Sequence, residues 1–270
     1  MVDEIGARYA QRPSLLHSLF EFRFPMEAAL FWIHGIHHRW PHADAANRKA
    51  VMMIPGFMAH DMSLAPMAGI CRWLGHRTFF TGIRSNSNCP RETLIHLEHH
   101  LERIYDEEGP VVIIGQSLGG VYARELAARQ PDLVERIITL GSPVRLVEDS
   151  ANALVIAMAR MMGRLRSREA GCLTPSCKCG MMLTERDLGE VPTTVIYSRT
   201  DGVVHWESCI DHSGRKNVEN LEVSASHVGM GLNTEVLRIV ADRLALPVRS
   251  TVEPPAMKAT HRPHRNSALA

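Results

Sequence analysis

Ser117, Asp201 and His227 stand in contexts that would let the three act together. Ser117 lies in Gly115-Gln116-Ser117-Leu118-Gly119-Gly120, directly after the apolar run Val111-Val112-Ile113-Ile114. The helix-prone Val121-Tyr122-Ala123-Arg124-Glu125-Leu126-Ala127-Ala128 follows. A short buried strand thus runs through G-x-S-x-G into a helix. A nucleophilic serine needs this setting: a sharp turn lifts its oxygen clear of the backbone, and flanking glycines let neighbouring chain pass close by. The helix N-terminus turns its positive end towards the reacting centre. With 19 glycines in 270 residues the bare pattern carries little weight, and its flanks give it meaning. The bland alternative is a glycine-rich turn in which Ser117 serves as an ordinary N-cap.

The downstream chain argues against that alternative. The strand-like Val191-Pro192-Thr193-Thr194-Val195-Ile196-Tyr197 leads into Ser198-Arg199-Thr200-Asp201-Gly202, which puts Asp201 in a turn past a strand end. A second short strand, Leu221-Glu222-Val223, precedes Ser224-Ala225-Ser226-His227-Val228-Gly229-Met230, which puts His227 in a loop past that strand. A serine hydroxyl is a poor nucleophile until a base takes its proton. An imidazole can take it and return it to a leaving group. A carboxylate fixes the imidazole tautomer and stabilises the imidazolium.

Other acids compete for the third role. Glu148 and Asp149 follow the preceding strand, Ile137-Ile138-Thr139-Leu140, while Glu207 and Asp211 lie on a segment read as a solvated helix. Asp201 is preferred because a strand feeds it and Gly202 permits a tight turn. His205 falls at a helix start and reads as a surface residue. Upstream, the strand Ala50-Val51-Met52-Met53-Ile54 ends in Pro55-Gly56-Phe57-Met58. A tetrahedral oxyanion is stabilised by backbone N–H groups, and Phe57 and Leu118 are placed to supply them. Phe57 could otherwise be a core residue after a simple turn.

These motifs resemble the α/β-hydrolase family of bacterial lipase-like serine esterases, over roughly residues 47–246. The resemblance rests on P-G-F-M at 55–58, G-Q-S-L-G-G at 115–120, G-S-P at 141–143, S-R-T-D-G at 198–202, S-H-V-G-M at 226–230 and V-Y-A-R-E-L at 121–126. Many relatives carry His-Gly where this chain has Pro55-Gly56. The resemblance implies a mostly parallel sheet with helices on both faces and a cap insertion. It implies ester hydrolysis through Ser117, His227 and Asp201, with Phe57 and Leu118 as the oxyanion hole and no cofactor or metal. An acyltransferase or thioesterase on the same residues, or a non-catalytic binding protein on this fold, are the alternatives.

The elements that must position these residues alternate along the chain. Residues 61–74 read as a helix capped by Asp61, 77–81 as a strand, and 91–105 as a helix carrying Leu94, Leu97, Leu101 and Ile104 at helical spacing. A strand follows at 136–140, and a last helix at 233–244. Such alternation implies a parallel sheet covered on both faces. Residues 1–46 carry two interrupted apolar runs that read as short amphipathic helices. They are expected to pack onto the core; a membrane-surface or dimer contact is the sharper alternative. Residues 144–190 form an insertion far longer than the usual α/β connection. Its Met158, Met161 and Met162 are expected in a cap over the site or in core. Residues 247–270, with Pro247, Pro254, Pro255 and Pro263 and a basic run, read as a disordered tail.

Composition narrows the partners. A net charge of +1, 45% hydrophobic and 22% charged residues suit one globular domain and give no reason to expect nucleic acid. The expected partner is a small-molecule ester. No apolar run spans a bilayer, and the start lacks the order of a secretory signal, so the cytoplasm is the expected location. Cys172, Cys177, Cys179 and Cys209 match no zinc spacing; free thiols are expected first, a disulfide second. Oligomeric state is not set by the sequence.

Overall fold

The computed structural model describes residues 19–35, 47–144 and 188–247. The tail and nearly all of the insertion lie outside the described residues, with Glu148, Asp149, Met158, Met161, Met162, Cys172, Cys177 and Cys179.

Six parallel strands form one sheet in the order β2-β1-β3-β4-β5-β6: β1 Ala50–Ile54, β2 Arg77–Phe80, β3 Val111–Gln116, β4 Val134–Leu140, β5 Thr193–Tyr197 and β6 Val218–Glu222. β1, β3 and β4 are buried throughout, which is why they read as unbroken apolar runs rather than alternating ones. Along β1, Val51 and Met53 join one core, while Ala50, Met52 and Ile54 join the other. The first core is closed by α2 (Ala65–Trp73) and α6 (Thr234–Ala245), the second by α3 (Pro90–Glu108) and α4 (Leu118–Arg129). A fully buried Leu or Ile contributes about 1.5–3 kcal/mol, so both faces hold the sheet in place. The chain leaves β1 for the β2 edge, then returns past it to β3. That reversal opens a crevice between β1 and β3 at the carboxyl ends of the strands, the usual ligand position in such sheets.

Several boundaries differ from the sequence reading. Residues 61–64 form a 3₁₀ turn ahead of α2, and its cap is His60, whose Nδ1 accepts from the Met62 N–H at 3.1 Å. Asp61 does not cap this turn; it accepts from the Thr81 hydroxyl at 2.8 Å and the Gly82 N–H at 2.6 Å, tying the end of β2 to α2. β6 begins at Val218 rather than Leu221. It is an edge strand, half-exposed, so its polar residues hide it from a hydrophobicity reading. The segment after Asp201 forms only one turn of helix, α5 (Trp206–Cys209).

Ahead of the sheet, residues 19–35 run as a 3₁₀ turn (Leu19–Arg23), a short helix α1 (Phe24–Leu30) and a π turn (Phe31–Gly35). Phe31 is buried in the first core, and Glu27, four residues earlier, is also buried. Phe22 and Trp32 stay largely exposed.

Candidate active site

Ser117 sits between β3 and α4 with φ 52° and ψ −122°. Among the described residues only Ser117 and Met58 combine a side chain with positive φ, and both line the same cavity. Such backbone costs about 1–3 kcal/mol and persists where surrounding structure imposes it. The Ser117 side chain makes no capping hydrogen bond to α4, so the N-cap alternative fails. The turn closes because two glycines let backbone meet backbone. A Cβ on Gly119 would lie 2.2 Å from the Ile54 carbonyl oxygen, and one on Gly115 would lie 2.4 Å from that of Gly119.

Asp201 and His227 meet at the ends of β5 and β6. Asp201 Oδ1 accepts from the N–H groups of Val203 and Val204, both at 2.8 Å, which fixes the carboxylate in a tight turn. Its Oδ2 lies 2.6 Å from His227 Nδ1. Both side chains are buried. Gly141, at φ 53°, permits the contact: a Cβ there would stand 2.9 Å from Asp201 Oδ2 and 3.0 Å from His227 Nδ1. Burial disfavours the imidazolium, but the Asp201 carboxylate, helped by Glu21, outweighs it and raises the His227 pKa above its ordinary value. With Nδ1–H donating to Asp201, Nε2 is left to accept a proton.

Ser117 and His227 line a cavity of about 520 Å³ together with Gly56, Phe57, Gln116 and Val228. Phe24, Met58, Met62, Pro66 and Leu232 make its other walls largely apolar. The loop carrying Phe57 is clamped by Asn86, whose side-chain amide donates to the Pro55 carbonyl at 2.7 Å and whose carbonyl accepts from Met58 N–H at 3.0 Å. Neither bond uses the Phe57 N–H. Leu118 is the first residue of α4, where an N–H has no helical partner. The structure thus brings Ser117, His227, Phe57 and Leu118 to the β1–β3 crevice and sets Asp201 behind His227.

The other candidates lie elsewhere. Asp211, read as solvated, is buried in ion pairs with Arg124 at 2.6 Å and Arg215 at 3.2 Å. Burial raises its pKa, yet Arg124 prevails and holds it at about 2. Glu207 is half-buried on α5. His205, read as a surface residue, is half-buried against Trp206, the ring centroids 5.9 Å apart. Cys71 and Cys209 are free and buried, and burial pushes the Cys71 thiol up to about 12 and Cys209 well up. Among the described residues no cluster of His, Cys, Asp and Glu could hold a metal, and no helix is long and apolar enough to cross a membrane.

Three further side chains support His227. Gln116 Nε2 donates to the His227 carbonyl at 2.9 Å. Glu21 accepts from the His227 N–H at 2.8 Å, and Glu27 from the N–H of Ser226 at 2.8 Å. The sequence reading assigned none of them a role. Gln116 stands inside the motif at 115–120, and the signal of the other two is that Glu21 and Glu27 interrupt the apolar runs of the N-terminal segment.

No known family's sequence pattern matches the chain, and no curated protein matches it. Solved structures match its fold. A lipase of Bacillus licheniformis in mature form superposes with a TM-score of 0.55 at 13% identity, covering 77% of this chain and 96% of that one. The monoacylglycerol lipase of Paleococcus ferrophilus gives 0.54 at 14% identity, over 76% of this chain and 96% of that one. One of a pair of metagenome-derived lipolytic enzymes gives 0.54 at 15% identity, over 76% and 93%. With its parallel sheet and flanking helices, the chain has the α/β-hydrolase fold.

Proposed function

We propose that the protein is a serine hydrolase cleaving carboxylic esters with apolar acyl groups. One observation carries the reading: the buried Asp201–His227 pair, 2.6 Å apart, opens on the same cavity as a serine held at positive φ at a helix N-terminus. Ser117 Oγ attacks the ester carbonyl as His227 Nε2 takes its proton. Asp201 stabilises the imidazolium and keeps Nδ1 protonated beforehand. The N–H groups of Phe57 and Leu118 receive the oxyanion. Collapse of the tetrahedral species breaks the ester bond, and His227 returns the proton to the leaving alcohol. Water then attacks the acyl-enzyme by the same route and frees the acid. The cavity's apolar walls favour an acyl chain over a charged group.

The base must be neutral to act. Because the His227 pKa is raised, kcat/KM should fall on acidification with a midpoint above the ordinary imidazole value. The test is hydrolysis of p-nitrophenyl acetate, butyrate and octanoate by wild type and Ser117→Ala. The wild type should be active and the variant should lose about 10⁶-fold in kcat. Hydrolysis by the variant near the wild-type rate would overturn the reading.

A further inference from the structure

The loops that carry Asp201 and His227 belong to different strands, and near their strand ends the hydroxyls of Ser198 and Thr200 join them by donating to the Ala225 carbonyl at 2.8 and 3.1 Å. Closer to the Asp201–His227 contact, a side chain from outside both loops spans them. Glu21 Oε1 accepts from the N–H of Gly202 at 2.9 Å and the N–H of His227 at 2.8 Å, while Oε2 accepts from the N–H of Val228 at 3.1 Å. A single carboxylate thus bonds the residue after Asp201 and the backbone of His227 itself. Its chain position is remote, 206 residues from His227. The rest of the segment docks on the same two loops. Glu27 Oε1 accepts from Ser226 N–H at 2.8 Å, and its other oxygen accepts the Ser226 hydroxyl. Ser226 Oγ in turn accepts from the Gly229 N–H at 3.1 Å. Arg23 reaches both sides, donating to Thr200 Oγ1 at 3.4 Å and to Ser224 Oγ at 3.3 Å.

We infer that Glu21 is a positioning residue: its carboxylate ties the backbone next to Asp201 to the backbone of His227 and so aligns the carboxylate and imidazole where they meet. The inference rests on reading those two residues as acid and base. On the far side, Gln116 holds the His227 carbonyl, so the histidine backbone is gripped at both polar atoms. Removing the Glu21 carboxylate leaves three N–H groups without this acceptor and loosens the backbone at Gly202, His227 and Val228, while the Ser198 and Thr200 bonds to Ala225 still join the loops nearer their strands. A displacement of about 1 Å at a catalytic group costs on the order of 100-fold in rate. Glu21 also adds negative charge near the imidazolium. Among the described residues the other charged groups bonded around this contact are Asp201, Glu27 on Ser226 one residue before His227, and Arg23 on Ser224 three residues before it and on Thr200 next to Asp201.

The experiment compares full-length wild type, Glu21→Gln and Glu21→Ala. Readouts are kcat and KM on p-nitrophenyl butyrate, the pH profile, and the His227 titration by ¹³C-imidazole NMR. Glu21→Ala should lower kcat about 10- to 100-fold with KM within about twofold. Glu21→Gln keeps an acceptor for Gly202 and His227 but not the charge. It should retain more activity, and its acidic limb and His227 titration should both move to lower pH. Should Glu21→Ala fail to fold, Glu21→Gln decides alone. Unchanged kcat and an unchanged His227 titration, even with a lower Tm, would overturn the inference by making Glu21 merely structural. The NMR titration needs no turnover. If Ser117→Ala hydrolyses like wild type, the hydrolase reading falls, while a lowered His227 titration in Glu21→Gln would still show the Glu21 carboxylate seated against His227.

Discussion

Ser117 is held by backbone packed on backbone, whereas His227 is held by side chains from across the molecule. The serine turn needs β3, α4, the close approach of Gly115 and Gly119, and the β1 loop beside it. The histidine needs Asp201, Gln116 and Glu21, at separations of 26, 111 and 206 residues. The first region is rigid because backbone packs on backbone; the second is assembled by hydrogen bonds that a single substitution can remove. The serine half should therefore fail by unfolding, and the histidine half by losing chemistry on an intact fold.

Gly119→Ala should break the comparison most severely on the serine side. Its Cβ would sit 2.2 Å from a backbone oxygen, which cannot move aside as a flexible side chain would. We expect a loss of about 3 kcal/mol or more, or no soluble protein. Thermal unfolding followed by circular dichroism is the check; a wild-type Tm would show that the turn has slack. On the histidine side, Asp201→Asn should keep its Tm within a few degrees yet lose about 10⁴-fold in kcat, through the wrong imidazole tautomer.

Asp211→Asn sharpens the contrast, because it alters a buried carboxylate close in sequence but outside the cavity. It strips Arg124 of its main partner, so stability should fall by about 3–5 kcal/mol while kcat stays near wild type. The sign with pH follows from the lowered pKa. Ionised Asp211 stabilises the fold above the ordinary 3.8, and that contribution is lost as the pH falls towards 2. The stability gap between wild type and variant should therefore narrow across that window in urea titrations. If Asp211→Asn proved the weaker catalyst and Asp201→Asn the weaker fold, the two carboxylates would have exchanged roles.

The smallest effect should come from the cavity wall. Met58→Ala with Met62→Ala removes apolar surface that a longer acyl chain would cover. The loss in kcat/KM should grow from acetyl to octanoyl esters at about 25 cal/mol per Å² of lost contact. An equal loss for all chain lengths would place the acyl group elsewhere.

The same division explains what could be read from the chain. The serine turn was legible because a continuous apolar run, glycines and a helix-prone segment lie side by side within about twenty residues. Asp201 and His227 were legible less directly, each as a polar residue in a turn after a strand. Glu21 and Glu27 were not, because their partners are the N–H groups of loops far along the chain. Within an apolar segment they read as interruptions of an amphipathic pattern. Asp211 misled in the opposite sense. An acid on a segment that reads as a helix looks solvated until Arg124, 87 residues away, is seen beside it. Asp61 misled as a cap because its neighbour His60 satisfied the turn, leaving Asp61 to join β2 to α2.

Covalent trapping of the nucleophile tests the central claim most directly. Wild type, Ser117→Ala and His227→Ala would be treated with a fluorophosphonate and the modified peptide mapped by mass spectrometry. Wild type should carry one phosphonyl group per chain, located on Ser117, with none on Ser117→Ala and slow labelling of His227→Ala. Labelling at another serine, or none on wild type at any pH from 6 to 9, would contradict it.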